Sequence, residues 1–145
     1  MDITLKSPSE IEKLRIVGAA TARVLEMIEP YVVPGVTTEE LDNIMNEYIQ
    51  TKENAVSADL GYQGYPKATC ISVNEVVCHG IPGPHKLREG DIVNIDVTVL
   101  KDKYYGDSSR MYIVGRTSPR NEQLCKCAQE AMYAAIRTVR PGSNL

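Results

Sequence analysis

DIVNIDVTVLKDKYYGDSSR, residues Asp91–Arg110, is the stretch whose reading decides the fold. Val93, Ile95, Val97 and Val99 alternate with Asn94, Asp96 and Thr98, the period-two signature of a strand with one apolar face. A second strand follows after a tight turn, and each strand carries an aspartate, Asp96 and Asp107, where an apolar residue would be less costly. A turn at Lys101-Asp102 places the two directly opposite; a turn at Asp102-Lys103 makes them diagonal neighbours. In either register both carboxylates project from one face, because strand side chains repeat every two residues. Like charges so close destabilise a hairpin. A cation between them, or one shared proton, removes that cost, and oxygen pairs of this kind suit hard or borderline divalent metals. The plainer reading is a pair of surface aspartates on an exposed hairpin face.

Upstream, Ser7-Pro8-Ser9-Glu10 supplies an N-cap, a proline at the first helical position and a capping-box glutamate. Ile11, Leu14, Gly18, Thr21, Leu25 and Ile28 then recur near one helical face, and Pro30 with Pro34-Gly35 ends the helix. Thr37-Thr38-Glu39-Glu40 caps a second helix through about Thr51, with Leu41, Ile44, Met45 and Tyr48 inward. Residues 55–64 read as an irregular loop. Short strands are expected at Thr69–Val73 and Val76–His79, before Gly80-Ile81-Pro82-Gly83-Pro84 turns the chain. Met111–Val114 finishes the second hairpin strand. Ser118-Pro119 opens a last helix whose buried side is expected to carry Leu124, Ala128, Ala131, Ala135, Ile136 and Val139. The first helix runs into Val33-Pro34-Gly35 and onward to Leu41; the last runs into Val139-Arg140-Pro141-Gly142 and onward to Leu145. This self-similarity suggests a duplicated unit.

The 145 residues fit one domain, and 43% hydrophobic with 24% charged residues is ordinary for a globular chain. A balance of 16 basic against 19 acidic residues, with no basic run, gives no electrostatic case for nucleic acid. No stretch approaches the ~20 apolar residues that span a bilayer, so no membrane partner is expected. The N-terminus has no signal-peptide core, which points to a cytoplasmic location. There the four cysteines would be reduced, and Cys125 and Cys127 lie about 200° apart around a helix, too far to chelate one ion. Eight tyrosines with no phenylalanine or tryptophan favour a partly wet pocket over a purely apolar core.

His79 closes the apolar run Val76-Val77-Cys78, with glycine next to admit a ligand or another backbone. A histidine at a strand end is commonly structural, and its company with two same-face carboxylates is what singles it out. His85 follows a turn and is expected to be exposed. Tyr62 and Tyr65 either line an amphipathic pocket or pack a glycine-rich loop. Phosphate loops, nucleophile elbows and CxxC pairs are absent from the sequence, so nucleotide, serine-hydrolase and zinc-ribbon chemistry find no support.

GYQGYPKATCISVNEVVCHGIP, GDIVNIDVTV and YYGDSSRMYIVG together resemble the N-terminal half of the type I methionine aminopeptidases, and the resemblance runs from about Ile3 to Leu145. It implies an α/β (α+β) pita-bread fold of the creatinase/aminopeptidase type, two pseudo-symmetric halves around an antiparallel sheet, of which residues 1–145 would be the first. It also implies metal-dependent removal of the initiator methionine from nascent, ribosome-associated peptides.

The family's centre holds two divalent ions, Mn, Fe, Co or Zn, by two aspartates, one histidine and two glutamates. Asp96 and Asp107 match the aspartates. His79 matches a histidine that hydrogen-bonds substrate and stabilises the developing oxyanion. Tyr62, Tyr65 and Cys70 match walls of the methionine pocket. Asn74 and Val76 match positions whose carbonyls hold a monovalent cation, Na or K, in some members. The remaining histidine and both glutamates match nothing in this chain. A complete dinuclear site and full activity are therefore not expected of these residues alone, and an uncovered sheet would favour association. Asp59 stands where bacterial relatives often place cysteine, and a carboxylate there is expected to weaken methionine preference. A non-catalytic pita-bread module binding peptides, or an inactive paralogue, is the alternative. It gives no reason to keep Asp96, Asp107 and His79 together. A prolidase-like dipeptidase is disfavoured by CHGIP and GYPK.

Overall fold

The computed structural model describes residues 4–144, so Met1–Ile3 and the Leu145 of the Pro-Gly echo lie outside the described residues. Helix α1 spans Pro8–Ile28 and continues as a 3-10 turn, Glu29–Tyr31; α2 spans Thr38–Thr51. Both start as their sequences dictate. The Ser7 hydroxyl accepts from the Glu10 N–H while the Glu10 carboxylate accepts from the Ser7 N–H, and Thr37 and Glu40 repeat the exchange.

Four antiparallel strands follow: β1 (Val56–Ser57), β2 (Cys70–Val73), β3 (Ile92–Lys101) and β4 (Tyr104–Ile113). Strand β3 is central. β4 pairs along its whole length on one side, while β2 and β1 share the other side, at its beginning and end respectively. The turn is Asp102-Lys103, both at positive φ (50° and 71°), as a type I′ hairpin requires. Lys101 therefore pairs with Tyr104, and of the two open registers the diagonal one is realised.

Helices α1 and α2 cover one sheet face. Val93, Ile95, Val97 and Val99 are buried against Val17, Val24, Ile28, Leu41, Met45 and Ile49, as the period-two pattern demands. The inward stripe of α1 is Val17, Ala20, Thr21, Val24, Leu25 and Ile28, rotated from the expected one. Ile11 is exposed because burial along the helix begins only at Val17, and Gly18 because it lies off the stripe that starts there. Tyr112 is buried despite its polar tip, its hydroxyl donating to the Leu25 carbonyl at 2.6 Å. Burial pushes that phenol up to about 12.

Two expectations are corrected. Val76–His79 is not a strand: after β2 the chain turns at Asn74 (φ 52°), and Val77 stands 93% exposed. The side chain of Asn74 explains the turn. It donates to the Asp91 carboxylate and accepts the Ile92 N–H, folding the chain toward the start of β3 and away from a ladder. The last helix, α3 (Pro119–Thr138), exists where expected and is capped by Ser118, yet none of its residues is buried. Leu124 and Ile136 are 59% and 56% exposed, and Ala128, Ala131, Ala135 and Val139 are exposed as well. Its apolar side borders an open groove of about 780 Å³ beside α1 and β4 with no element packed into it among the described residues. Gly35 and Gly142, each after its proline, both adopt positive φ (94° and 84°), so the two Pro-Gly turns are locally alike. No described helix is long and apolar enough to cross a membrane.

Candidate active site

On the sheet face away from the helices, Asp96 pairs with Ser109 and Thr98 with Asp107, so Asp96 and Asp107 are diagonal neighbours with side chains on one face. Cys70 on β2 pairs with Asp96 from the other side and joins that face. Asp59 arrives at the end of β1, where the Ala58 N–H donates to the Thr98 carbonyl at 2.9 Å, and the Thr98 N–H lies 3.4 Å from Asp59 Oδ2. One pocket of about 540 Å³ is lined by Asp59, Tyr62, Tyr65, Cys70, His79, Asp96 and Asp107. All seven were candidates from the sequence, Asp59 and Cys70 through the family resemblance alone. Asn74 and Val76 lie instead in the turn after β2 and are not among its lining residues. His85 is exposed and apart.

Helix α2 holds one wall in place. The buried Asp42 carboxylate accepts the N–H groups of Ala68 and Thr69 and the Thr69 hydroxyl, at 3.1, 2.9 and 2.8 Å. Lys67 pairs with Glu39 at 2.5 Å. The loop so fixed presents Tyr65, whose hydroxyl lies 3.1 Å from the Thr69 carbonyl and 3.0 Å from that of Gly80. Burial, then the neighbouring Cys70, raise the Tyr65 phenol above its ordinary value, so it stays a donor. The Cys70 thiol is likewise pushed up by burial.

His79 reaches the pocket from an irregular segment at φ 54°, a conformation that costs a non-glycine residue about 1 kcal/mol. Gly80 anchors it. Its carbonyl accepts the Ile71 N–H at 2.9 Å and its own N–H donates to Ser72 Oγ at 3.1 Å; a Cβ there would meet the Ile71 carbonyl oxygen at 2.2 Å. Downstream, the segment is tied to the start of α2, where the Thr38 and Glu39 N–H groups donate to the carbonyls of His85 and Gly83.

Charge is unbalanced here. Burial first, then Asp107 and Asp59, hold the Asp96 carboxyl above its ordinary value, with His79 acting in the opposite sense. Burial also raises Asp59, against hydrogen bonds from Thr98. No ion pair among the described residues involves any of the three aspartates. Partly buried carboxylates without a counter-charge fit a bound cation. Among the described residues, though, no group of three or more His, Cys, Asp or Glu side chains converges closely enough to hold a metal.

Thr98 and Asp42 were not singled out by sequence, whereas the close backbone approach expected at Gly80 is present. Thr98 follows Asp96 by one strand period, and Asp42 continues the inward series Thr38, Met45 and Ile49. Both signals were present in the spacing.

Residues 12–145 match the profile of "Metallopeptidase family M24". The Escherichia coli (strain K12) methionine aminopeptidase is 60% identical over 146 aligned residues, covering 100% of this chain and 55% of that protein. The crystal structure of methionine aminopeptidase from Rickettsia prowazekii superposes with a TM-score of 0.95 at 44% identity, over 98% of this chain and 57% of its own. That from Thermotoga maritima gives 0.91 at 41%, over 97% and 57%. The chain thus spans about half the length of the curated relatives it matches.

Proposed function

The chain belongs to metallopeptidase family M24 and has its pita-bread fold, and on that footing we propose that it is the N-terminal half of a cytoplasmic methionine aminopeptidase acting on nascent peptides. The observation that carries the reading is that Asp96, Asp107 and His79 line one pocket with no lysine or arginine among its lining residues. Asp96 and Asp107 would hold divalent metal, and Mn, Fe, Co or Zn all accept such donors. Metal bound there supplies Lewis acidity toward the scissile carbonyl and a water acidified toward neutral pH.

The protein's own part is placement. Tyr62, Tyr65 and Cys70 wall the side chain of the first residue. His79 donates to the carbonyl oxygen as charge develops on it. The carbonyls of Asn74 and Val76 would hold a monovalent cation that stiffens the turn behind β2. Two aspartates are too few donors for a closed dinuclear centre, so activity requires further ligands beyond these residues.

Joining residues 1–145 to the remaining part of the Escherichia coli relative tests this. The chimera should release methionine from Met-Ala-Ser with added Mn²⁺ or Co²⁺, and Asp96→Asn or His79→Ala should abolish or sharply reduce release. A folded, metal-loaded chimera that releases neither methionine from Met-Ala-Ser nor lysine from Lys-Ala-Ser would reject the reading. It would favour a second one, a peptide-binding module without chemistry.

A further inference from the structure

Asp59 is out of place in a pocket for a thioether. It lines the cavity beside Tyr62, Tyr65 and Cys70, the side chains assigned above to the first residue of the substrate. Its carboxylate pairs with no cation among the described residues, and its backbone hydrogen bond from Thr98 is long, at 3.4 Å. No lysine or arginine lines this cavity. With Asp96 and Asp107 assigned to metal, Asp59 remains as a third carboxylate with no ion-pair partner among the described residues. An apolar occupant would strip water from it and give nothing back. An ammonium or guanidinium would pair with it.

We propose that Asp59 sets the first-residue specificity of this pocket toward a basic side chain, lysine or arginine, at the expense of methionine. The inference rests on the functional reading above for the identity of the pocket, but its test needs no turnover. L-Lysinamide, L-methioninamide and L-norleucinamide share the α-amine and differ only in the side chain. Their binding to the 145-residue chain is followed by chemical-shift changes of the pocket residues. Lysinamide should bind about tenfold more tightly than methioninamide, as a partly solvated ion pair allows, and added salt should erode the advantage. Asp59→Asn should abolish it.

Equal or tighter methioninamide binding, an unchanged ratio in Asp59→Asn, or no binding of any amide would each overturn the proposal. The two readings fail separately. A lysine preference in a chain whose chimera hydrolyses nothing would leave Asp59 as the selector and remove the peptidase. Release of methionine with no lysine preference would do the reverse.

Discussion

Thr21 on α1 and Gly106 on β4 touch directly: the threonine hydroxyl lies 2.9 Å from the Gly106 carbonyl oxygen and 3.1 Å from that of Val17. A Cβ at Gly106 would fall 2.6 Å from Thr21 Oγ1 and 2.7 Å from the Val17 carbonyl oxygen. The helix thus rests on strand backbone, one residue before Asp107. Gly106→Ala must push α1 outward, and the expected cost is about 3 kcal/mol in urea unfolding. A midpoint unchanged from wild type would show that the helix contact does not hold β4.

Asp42 is the corresponding fixture for the opposite wall. Asp42→Ala leaves two backbone N–H groups and the Thr69 hydroxyl without their acceptor inside the protein, and should cost about 3 kcal/mol. Asp42→Asn keeps one acceptor oxygen and should cost about a third of that. Equal effects of the two substitutions would mean that packing, and not hydrogen bonding, decides the site.

The hairpin turn is suboptimal as built. Lys103 occupies a left-handed position that glycine fills without strain. Lys103→Gly should therefore raise stability by about 0.5–1 kcal/mol, read from the shift in the urea midpoint. A loss would show that the lysine side chain makes a contact worth more than the strain.

Glu53 predicts a pH dependence. Its buried carboxylate is gripped by Arg23 through both oxygens, at 2.8 and 2.6 Å, and Lys101 donates to its backbone carbonyl. The hydrogen bonds from Arg23 first, with the charges of Arg23 and Lys101, hold Glu53 below the ordinary carboxylate value. The folded state thus favours the ionised form. That contribution is complete above the unfolded value, near pH 4.3, and is lost as pH falls through the lowered folded value. Acid unfolding followed by circular dichroism should show wild type losing stability below about pH 4.5 more steeply than Glu53→Gln. Parallel profiles would exclude Glu53 as a source of that slope.

Of the seven pocket residues, Asp59 and Cys70 came only from the family resemblance, whereas the hairpin with its two aspartates and both capping boxes were legible in the sequence for one physical reason. Each is a local pattern, a period of two or a cap three residues from its partner, that stays fixed whatever packs around it. Val76–His79 misled because an apolar run was read as a strand, while the side chain of Asn74 turns the chain out of the ladder. The apolar stripe of α3 misled in another way. Amphipathicity tells that a helix has a face to bury but not whether the partner lies within these residues, and here none does. Asp42 escaped because a carboxylate on an inward helix position reads as an error until its three donors, from a loop more than 20 residues away, are seen.

The central claim is that Asp96 and Asp107 together hold a divalent cation, and Mn²⁺ titration of the chain followed by electron paramagnetic resonance tests it most directly. Weak binding is expected, with a dissociation constant on the order of 10⁻⁴–10⁻³ M for so few protein ligands. It should vanish in both Asp96→Asn and Asp107→Asn and persist in Asp102→Asn, which alters only the exposed turn. Mn²⁺ bound equally by all four proteins would contradict the claim.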